Sequence, residues 1–348
     1  MQQFQLVNFL ILGFAALTAV GLLTPIMRRI AIRFQIVDQP TESHKMHIGS
    51  IPYLGGVAII LGVVLVTFTA TLGSQFDNNV SFLASTILAP AILLGVIGLI
   101  DDVHRLKPWP RFLMQTISGL GISFLLVITD TLGSPFGNSW IDIPLTSLWI
   151  VGITNSINFF DNVDGGASGT VGITSISLFF LSWQGGQDLI AAMSIVLGGA
   201  TLGFLIWNKP PARIYMGDAG ALFLGVLIAS LTTRFNPNPI DKIASYSIPI
   251  LLLAVPILDT SVAVISRIMR GISPFQGGTD HLSHRLMRSG HSKPKAISIL
   301  WLMSSLFSLT AIAISYAPYP LERYGALFAG LCWIILLCYF IRLKPLRA

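Results

Sequence analysis

Asn155-Ser156-Ile157-Asn158-Phe159-Phe160-Asp161-Asn162-Val163-Asp164-Gly165-Gly166 lies between two apolar runs, residues 140–159 and 167–184. Asn155, Asn158 and Asn162 follow the three-and-four spacing of one helix face, and Asp161 and Asp164 are spaced one turn apart. Two carboxylates then give way to a glycine pair, where an apolar helix leaves a bilayer. Polar and ionisable groups are costly at membrane depth, so such a cluster marks a functional site by default. The bland alternative is a polar packing motif.

The surrounding composition supports a membrane setting. The 348 residues are 53% hydrophobic and only 10% charged, against about 25% charged in a soluble domain. The chain is therefore expected to be an all-α, polytopic integral membrane protein. A net charge of +6 is small for this length and gives no reason to expect nucleic acid as a partner. Cys332 and Cys338, six residues apart in the last apolar run, point to different sides of a helix, so neither a disulfide nor a metal site is expected there. Met-Gln-Gln-Phe-Gln carries no positive charge ahead of the first run, which argues against a cleaved signal peptide.

Eleven runs are long enough to be candidate spans: 6–27, 53–73, 81–100, 112–130, 140–159, 167–184, 188–207, 219–235, 244–266, 296–317 and 323–342. With the N-terminus outside, eighteen of the twenty-one lysines and arginines fall on the inner side, and only Arg234, Lys242 and Arg323 remain outside. The positive-inside rule then puts the C-terminus in the cytoplasm. Histidine played no part in that choice, yet all six histidines fall on the same inner face, as do Asp101, Asp102, Asp161, Asp164, Asp218 and Asp280. The expectation is one membrane domain spanning 1–348, with a cytoplasmic-face site built from loops near 28–52, 101–111, 158–166, 208–218 and 267–295.

Each inner loop has a bland reading. In the first, Arg28, Arg29 and Arg33 suit anionic headgroups, whereas His44-Lys45-Met46-His47 followed by Gly55-Gly56 reads as a phosphate-contacting turn. In the second, Asp101 and Asp102 are either solvated loop acids or a pair that diverges at a helix end, one toward a metal and one toward substrate. In the fourth, Gly217-Asp218-Ala219-Gly220 opens a helix, and an N-cap is the plain role for that aspartate. In the last, His281, His284 and Arg285 suit zinc or phosphate; without thiolates, and with arginines interleaved, phosphate is the better partner. Asp259, about two turns inside the ninth run, is read as supporting the site from behind, either pairing with Arg213 or capping a neighbouring helix. Gly199 and Gly203 read as helix packing. Oxygen ligands beside cations fit magnesium held together with substrate phosphates, and hence phosphoryl transfer.

At these motifs the chain resembles the polyprenyl-phosphate N-acetylhexosamine-1-phosphate transferases of glycosyltransferase family 4, with the phospho-N-acetylmuramoyl-pentapeptide transferases as relatives. The likeness runs from Asp38 to Arg288 through Asp38-x-Pro…Lys45-x-His47…Pro52-x-x-Gly55-Gly56, Asp101-Asp102, Asn155-x-x-Asn158-x-x-Asp161-x-x-Asp164-Gly165, Arg213-Ile-Tyr215-Met-Gly217-Asp218-x-Gly220 and Asp280-His281-Leu-x-His284-Arg285. It implies that undecaprenyl phosphate attacks the β-phosphorus of a UDP-N-acetylhexosamine, on the N-acetylglucosamine branch, releasing UMP. Asp101 would deprotonate or orient the lipid phosphate. Asp218, assisted by Asp102, would ligate magnesium, with manganese as the alternative ion. Asn155, Asn158, Asp161 and Asp164 would hold nucleotide and pyrophosphate, and Tyr215 would stack on uracil. Lys45, His47, His281, His284 and Arg285 would contact phosphates or sugar. The chain departs from the pattern at Asn162, Gly166, Ala221 and Ser283. The bilayer is the implied environment and a homodimer the implied assembly. A transporter would place acids at span centres, where only Asp259 lies. A CDP-alcohol phosphotransferase would continue Asp-Gly-x-x-Ala-Arg, and Asp164-Gly165 continues Gly-Ala-Ser.

Overall fold

The computed structural model describes residues 5–38, 50–73, 78–104, 108–128, 138–274 and 278–343. It is nearly all helical, at 82%. In chain order the elements are α1 (Leu6–Arg33), β1 (Val37–Asp38), β2 (Ile51–Pro52), α2 (Gly55–Gly73), α3 (Asn78–His104), α4 (Pro108–Ile128), α5 (Ser139–Phe160), α6 (Gly166–Gln184), α7 (Asp188–Asn208), α8 (Gly217–Arg234), α9 (Lys242–Leu252), α10 (Ala254–Met269), α11 (Leu282–Arg288), α12 (Lys293–Tyr316) and α13 (Leu321–Arg342). The two strands form a short antiparallel ladder, Val37 opposite Pro52.

Each apolar run falls on helix over most of its described residues. Among the described residues, six helices are long and apolar enough to cross a membrane: α1, residues 84–104 of α3, α5, α7, α12 and α13; α9 with α10 makes a seventh if counted as one bent span. The protein is thus a multi-pass membrane protein. The ninth run is not one straight helix: α9 and α10 meet at 76°. Pro256 has no N–H for the carbonyl of Leu252, and its ring crowds that carbonyl, so the helix breaks between them. In a bilayer the freed acceptor needs a new donor. Thr174 Oγ1 supplies it, donating to Leu252 O at 2.7 Å, and Trp333 Nε1 donates to Ala254 O at 3.0 Å on the other side of the break.

Helix α8 is the hub. Fifteen of its eighteen residues are buried, as expected of a helix apolar on all sides and enclosed by protein. It packs against α2, α3 and α5, while α1 lies along α7. The expectation for Gly199 and Gly203 holds: a Cβ at either would stand 2.0 Å from Gly13 O or 2.3 Å from Leu17 O, so only glycines let α7 approach α1 this closely. Packing around α8 brings its N-terminus beside the C-terminal ends of α3 and α5, and the site lies there.

Candidate active site

The carboxylate centre is built from chain ends. Asp102, on the last turn of α3, accepts from Asp218 N at 2.8 Å through Oδ1 and from Ala219 N at 3.1 Å through Oδ2. Both are donors at the start of α8 that have no partner within their own helix. The helix is therefore capped by an acid 116 residues away. This sets aside the plain reading of Asp218 as an N-cap. With the cap supplied from α3, the Asp218 side chain is released to the site, where its Oδ1 accepts from Asn158 Nδ2 at 2.6 Å. Gly217 is needed for this closeness: its φ is +68°, and a Cβ there would lie 2.4 Å from Asp102 Oδ2. Asp101, the other half of the pair, is buried.

The signature stretch does not continue as one helix. α5 ends at Phe160 and Asp161 is its C-cap, so Asp161 and Asp164 lie on a turn rather than one helical turn apart, and Asn162 falls beyond the helix face of Asn155 and Asn158. Asn155 Nδ2 donates back to Val151 O at 2.8 Å within its own helix, so of the two helical asparagines it is Asn158 that reaches Asp218. Dense protein around Asp161, together with the carboxylates of Asp218, Asp102 and Asp164, pushes its pKa well above the usual carboxylate range. Asp164 accepts from Ala212 N at 3.0 Å and pairs with Lys293 Nζ at 2.8 Å. Gly165, at φ +73°, starts α6 and gives its N–H to Asn208 Oδ1 at 3.0 Å, and the same oxygen accepts from Ser168.

Tyr215 sits on a small backbone clasp. Its N–H donates to Pro52 O and its carbonyl accepts from Gly55 N, at 2.9 and 3.0 Å. The clasp brings Tyr53 against it, ring centroids 6.2 Å apart. Burial, then Asp38, Asp102 and Asp218, raise the pKa of Tyr53; burial, then Asp164, Asp38 and Asp161, raise that of Tyr215. Both phenols therefore stay protonated and can donate. Leu54 between Tyr53 and Gly55 adopts φ +79°, an outlying backbone conformation for a bulky side chain. Lys45 and His47 lie outside the described residues.

The 267–295 segment is a folded network rather than a row of free cations. Asp259 is fully buried; its Oδ2 accepts from His281 Nδ1 at 2.7 Å and its Oδ1 from Leu282 N at 2.7 Å. Of the two roles expected for it, capping a neighbouring helix is the one found. Arg213 instead lies over the Trp207 ring, and its carbonyl accepts from Arg28 Nε. Asp280 accepts from Arg267 Nε at 3.1 Å and Arg270 Nη2 at 2.6 Å, and Arg267 covers the ring of Phe159. Arg285 is 1% exposed and donates to Asp280 O, Phe340 O, Leu343 O and Ser266 Oγ. Its guanidinium braces α11 against the end of α13, turned into the protein. Burial and the neighbouring Arg288 bring its pKa down to about 10, so it remains charged at neutral pH.

Residues of all five expected loops thus meet: Asp102, Asn158, Asp161, Asp164, Tyr215 and Asp218 lie together, with Pro52 and Arg28 of the first loop bonded to Tyr215 and Arg213 and α11 against them through Ser283 and Asn162. Sequence reasoning missed Lys293, Asn208 and Tyr53. Lys293 belonged to a run of basic residues with nothing to single it out. Asn208 closes an apolar helix, as Asn158 lies in the last turn of another, and that position was its only signal.

The sequence profile described as Glycosyl transferase family 4 matches residues 83–236, from within α3 to just past α8. The chain is 36% identical over 324 residues to the "Probable undecaprenyl-phosphate N-acetylglucosaminyl 1-phosphate transferase" of Bacillus subtilis, covering 90% of this chain and 87% of that protein. The chain belongs to glycosyl transferase family 4. It is also 30% identical over 317 residues to the "Decaprenyl-phosphate N-acetylglucosaminephosphotransferase" of Mycobacterium tuberculosis, covering 82% of this chain and 77% of that one. A "Phospho-N-acetylmuramoyl-pentapeptide-transferase" of Shouchella clausii is 26% identical over 335 residues, covering 90% and 98%. In this family 4 chain the carboxylates supply only oxygen donors, and Asp218, Asp102 and Asp164 raise the cost of ionising Asp161. No three His, Cys, Asp or Glu close into a cage among the described residues. That donor set fits a hard divalent cation held by one or two carboxylates together with substrate phosphates.

Proposed function

We propose that this protein transfers N-acetylglucosamine-1-phosphate from UDP-N-acetylglucosamine to undecaprenyl phosphate, releasing UMP, as the first step of a lipid-linked cell-envelope glycan. The single observation that carries this reading is the junction of Asp102, Asp218 and Asn158 at the start of α8, which joins three separate inner loops at one carboxylate centre. In this reading eleven spans put the N-terminus outside and the site on the cytoplasmic face of a bacterial plasma membrane, in keeping with the lysine and arginine bias.

The chemistry is an in-line displacement. An oxygen of the lipid phosphate bonds to the β-phosphorus, the bond from that phosphorus to the bridging oxygen breaks, and UMP leaves with the electron pair. Asp218 and Asp102 are the residues that would hold magnesium, or manganese in its place; each carboxylate oxygen carries a second lone pair beyond the hydrogen bond it accepts. When bound, the ion neutralises charge on the phosphates. Asn158 holds the Asp218 carboxylate in one orientation, and Asp102 fixes the α8 terminus on which it stands. Asp101 orients the lipid phosphate, which is already largely ionised at neutral pH. Asp164, held by Lys293 and Ala212 N, offers a fixed acceptor to the nucleotide, and the Tyr53–Tyr215 pair offers aromatic faces beside it.

The test is direct. Purified protein is incubated with undecaprenyl phosphate, magnesium and a panel of UDP-sugars, and UMP release is scored. Release is expected with UDP-N-acetylglucosamine above the others; no release with any sugar defeats the transferase reading. Preference for the UDP-N-acetylmuramoyl-pentapeptide would move the protein to the runner-up, which its lower identity to that relative disfavours. Tyr215→Ala is expected to raise KM for the nucleotide sugar with little loss of kcat.

A further inference from the structure

Gln115 stands in α4 and is 2% exposed, and neither its Oε1 nor its Nε2 meets a hydrogen-bond partner among the described residues. Most other side chains with an unpaired buried atom are serines and threonines. A hydroxyl there can turn onto a carbonyl of its own helix, as Ser123 Oγ does toward Gly119 O at 2.7 Å, also in α4. A primary amide has two ends to satisfy, and in a bilayer no water reaches an unpaired one. Methionine has nearly the same length and would fill the space without that cost. The fold by itself gains nothing from an amide at this position.

The position lies among the helices that build the site. α3 packs against α4 and α8, and α5 packs against the same two. One face of α4 carries Leu113, Ile117, Leu120 and Phe124, all exposed, as on a helix side that meets lipid. Gln115 is on the buried face with Gly119, Ile122 and Leu126. A Cβ at Gly119 would stand 2.6 Å from Val151 Cγ2, so that face rests on α5. α4 begins and α5 ends at the site, and one turn nearer to it Gln115 comes level with Asn155. Asp101 turns the same way. Gly95 of α3 meets Ile60 of α2, and Asp102 meets α8. Asp101, about 100° round the helix from Asp102 and away from Gly95, is directed between α8 and α4. At about 1.5 Å per residue from the α3–α4 turn, Gln115 lies about 10 Å into the bundle, roughly one turn deeper than Asp101.

We infer that Gln115 binds the phosphate head of the lipid substrate, its Nε2–H donating to a phosphate oxygen beside Asp101. The inference rests on the transferase reading above and adds a residue to its lipid side. Two observations choose the lipid over the nucleotide. The outer face of α4 meets the bilayer, the phase from which a polyprenyl phosphate arrives, and Gln115 lies a turn deeper than the acids at the helix end. The groups assigned to the nucleotide, Asp164 and Tyr215, are held instead by Lys293, Ala212 N and the backbone clasp with Pro52 and Gly55. A neutral donor also suits the place. A lysine or arginine at this position would compete for Asp101, whereas an amide donates to phosphate and does not.

Gln115→Met separates this role from a structural one. In the purified full chain it is expected to keep or raise Tm in detergent without substrate, because an unpaired amide is removed. KM for undecaprenyl phosphate should rise about tenfold or more, while KM for the UDP-sugar stays within about twofold of wild type. Undecaprenyl phosphate added alone should raise the wild-type Tm beyond the effect of undecaprenol, which lacks the phosphate. In Gln115→Met that difference should vanish, and inorganic phosphate should shift neither protein. Gln115→Glu, which sets a second negative charge against the phosphate, should raise the lipid KM further than Gln115→Met does. A lowered Tm for Gln115→Met, or failure of that variant to fold, shows that the amide serves the fold and overturns the inference. So does an unchanged lipid KM, a nucleotide KM that rises in step with it, or a Tm shift in the wild type with inorganic phosphate alone. Absence of UMP release in the wild type with every sugar is a separate outcome and defeats the transferase reading itself.

Discussion

Asp102 and Asp218 share a helix terminus but do different work. Asp102→Ala removes the side-chain cap at the start of α8 and is expected to cost about 1–2 kcal/mol, read as a lower Tm in detergent, together with loss of UMP release. Asp218→Asn leaves that cap intact, so it should fold normally and be inactive; wild-type-like turnover would remove Asp218 as the ion's ligand. Asp161 behaves oppositely in stability. Its pKa is raised in the folded protein, so the folded state holds its proton more tightly than the unfolded chain. That contribution is fully present below the unfolded value of about 4 and is lost as pH rises through the folded value. Without divalent cation, Asp161→Asn should therefore raise Tm at neutral pH and flatten this part of the pH dependence, while abolishing turnover. His284 has the reverse sign: its folded pKa of about 4 lies below the unfolded value of about 6.5. Stability is lost as pH falls between these values, and His284→Gln should remove that loss in a Tm-against-pH series.

At the scale of elements, the broken α9–α10 pair sets where Asp259 lies. The break is satisfied by donors from two other helices, Thr174 on α6 and Trp333 on α13. Thr174→Val keeps the shape and removes the donor, leaving the Leu252 carbonyl unpaired at an expected cost of about 1–3 kcal/mol. Thermal unfolding in detergent measures it, and an unchanged Tm would mean that another donor reaches the carbonyl. Because α10 carries Asp259, and Asp259 holds both His281 and the first N–H of α11, a strained break should also raise KM for the nucleotide sugar.

The whole molecule is tied together at its far end by Arg285. This buried guanidinium reaches from α11 to the carbonyls of Phe340 and Leu343 at the close of α13. A chain ending at Tyr339 would leave a buried charge short of partners, at an expected cost of roughly 3–5 kcal/mol. It is expected to unfold at lower temperature and to lose turnover. Retained activity and Tm would show that α13 and the site are independent.

Read as a chain alone, the molecule already declares a great deal. Apolar runs separated by short polar loops determine a polytopic helical fold, because each run must satisfy its own backbone in lipid. The excess of acids and histidines on one set of loops determines which ends of those helices matter. Spacing along a chain does not report which loop ends touch, and there the tertiary structure decided. It capped α8 with Asp102 rather than with Asp218, ended α5 before Asp161, bent the ninth run at Pro256 and turned Arg285 inward. Lys293 and Asn208 joined the site because α12 and α7 pack against α6 and bring them to Asp164 and Gly165. The opening stretch, Asn155 to Gly166, is half helix and half turn for the same reason. Its asparagines part company once Asn158 finds Asp218, Asn162 finds Ser283, and Asn155 finds only its own backbone.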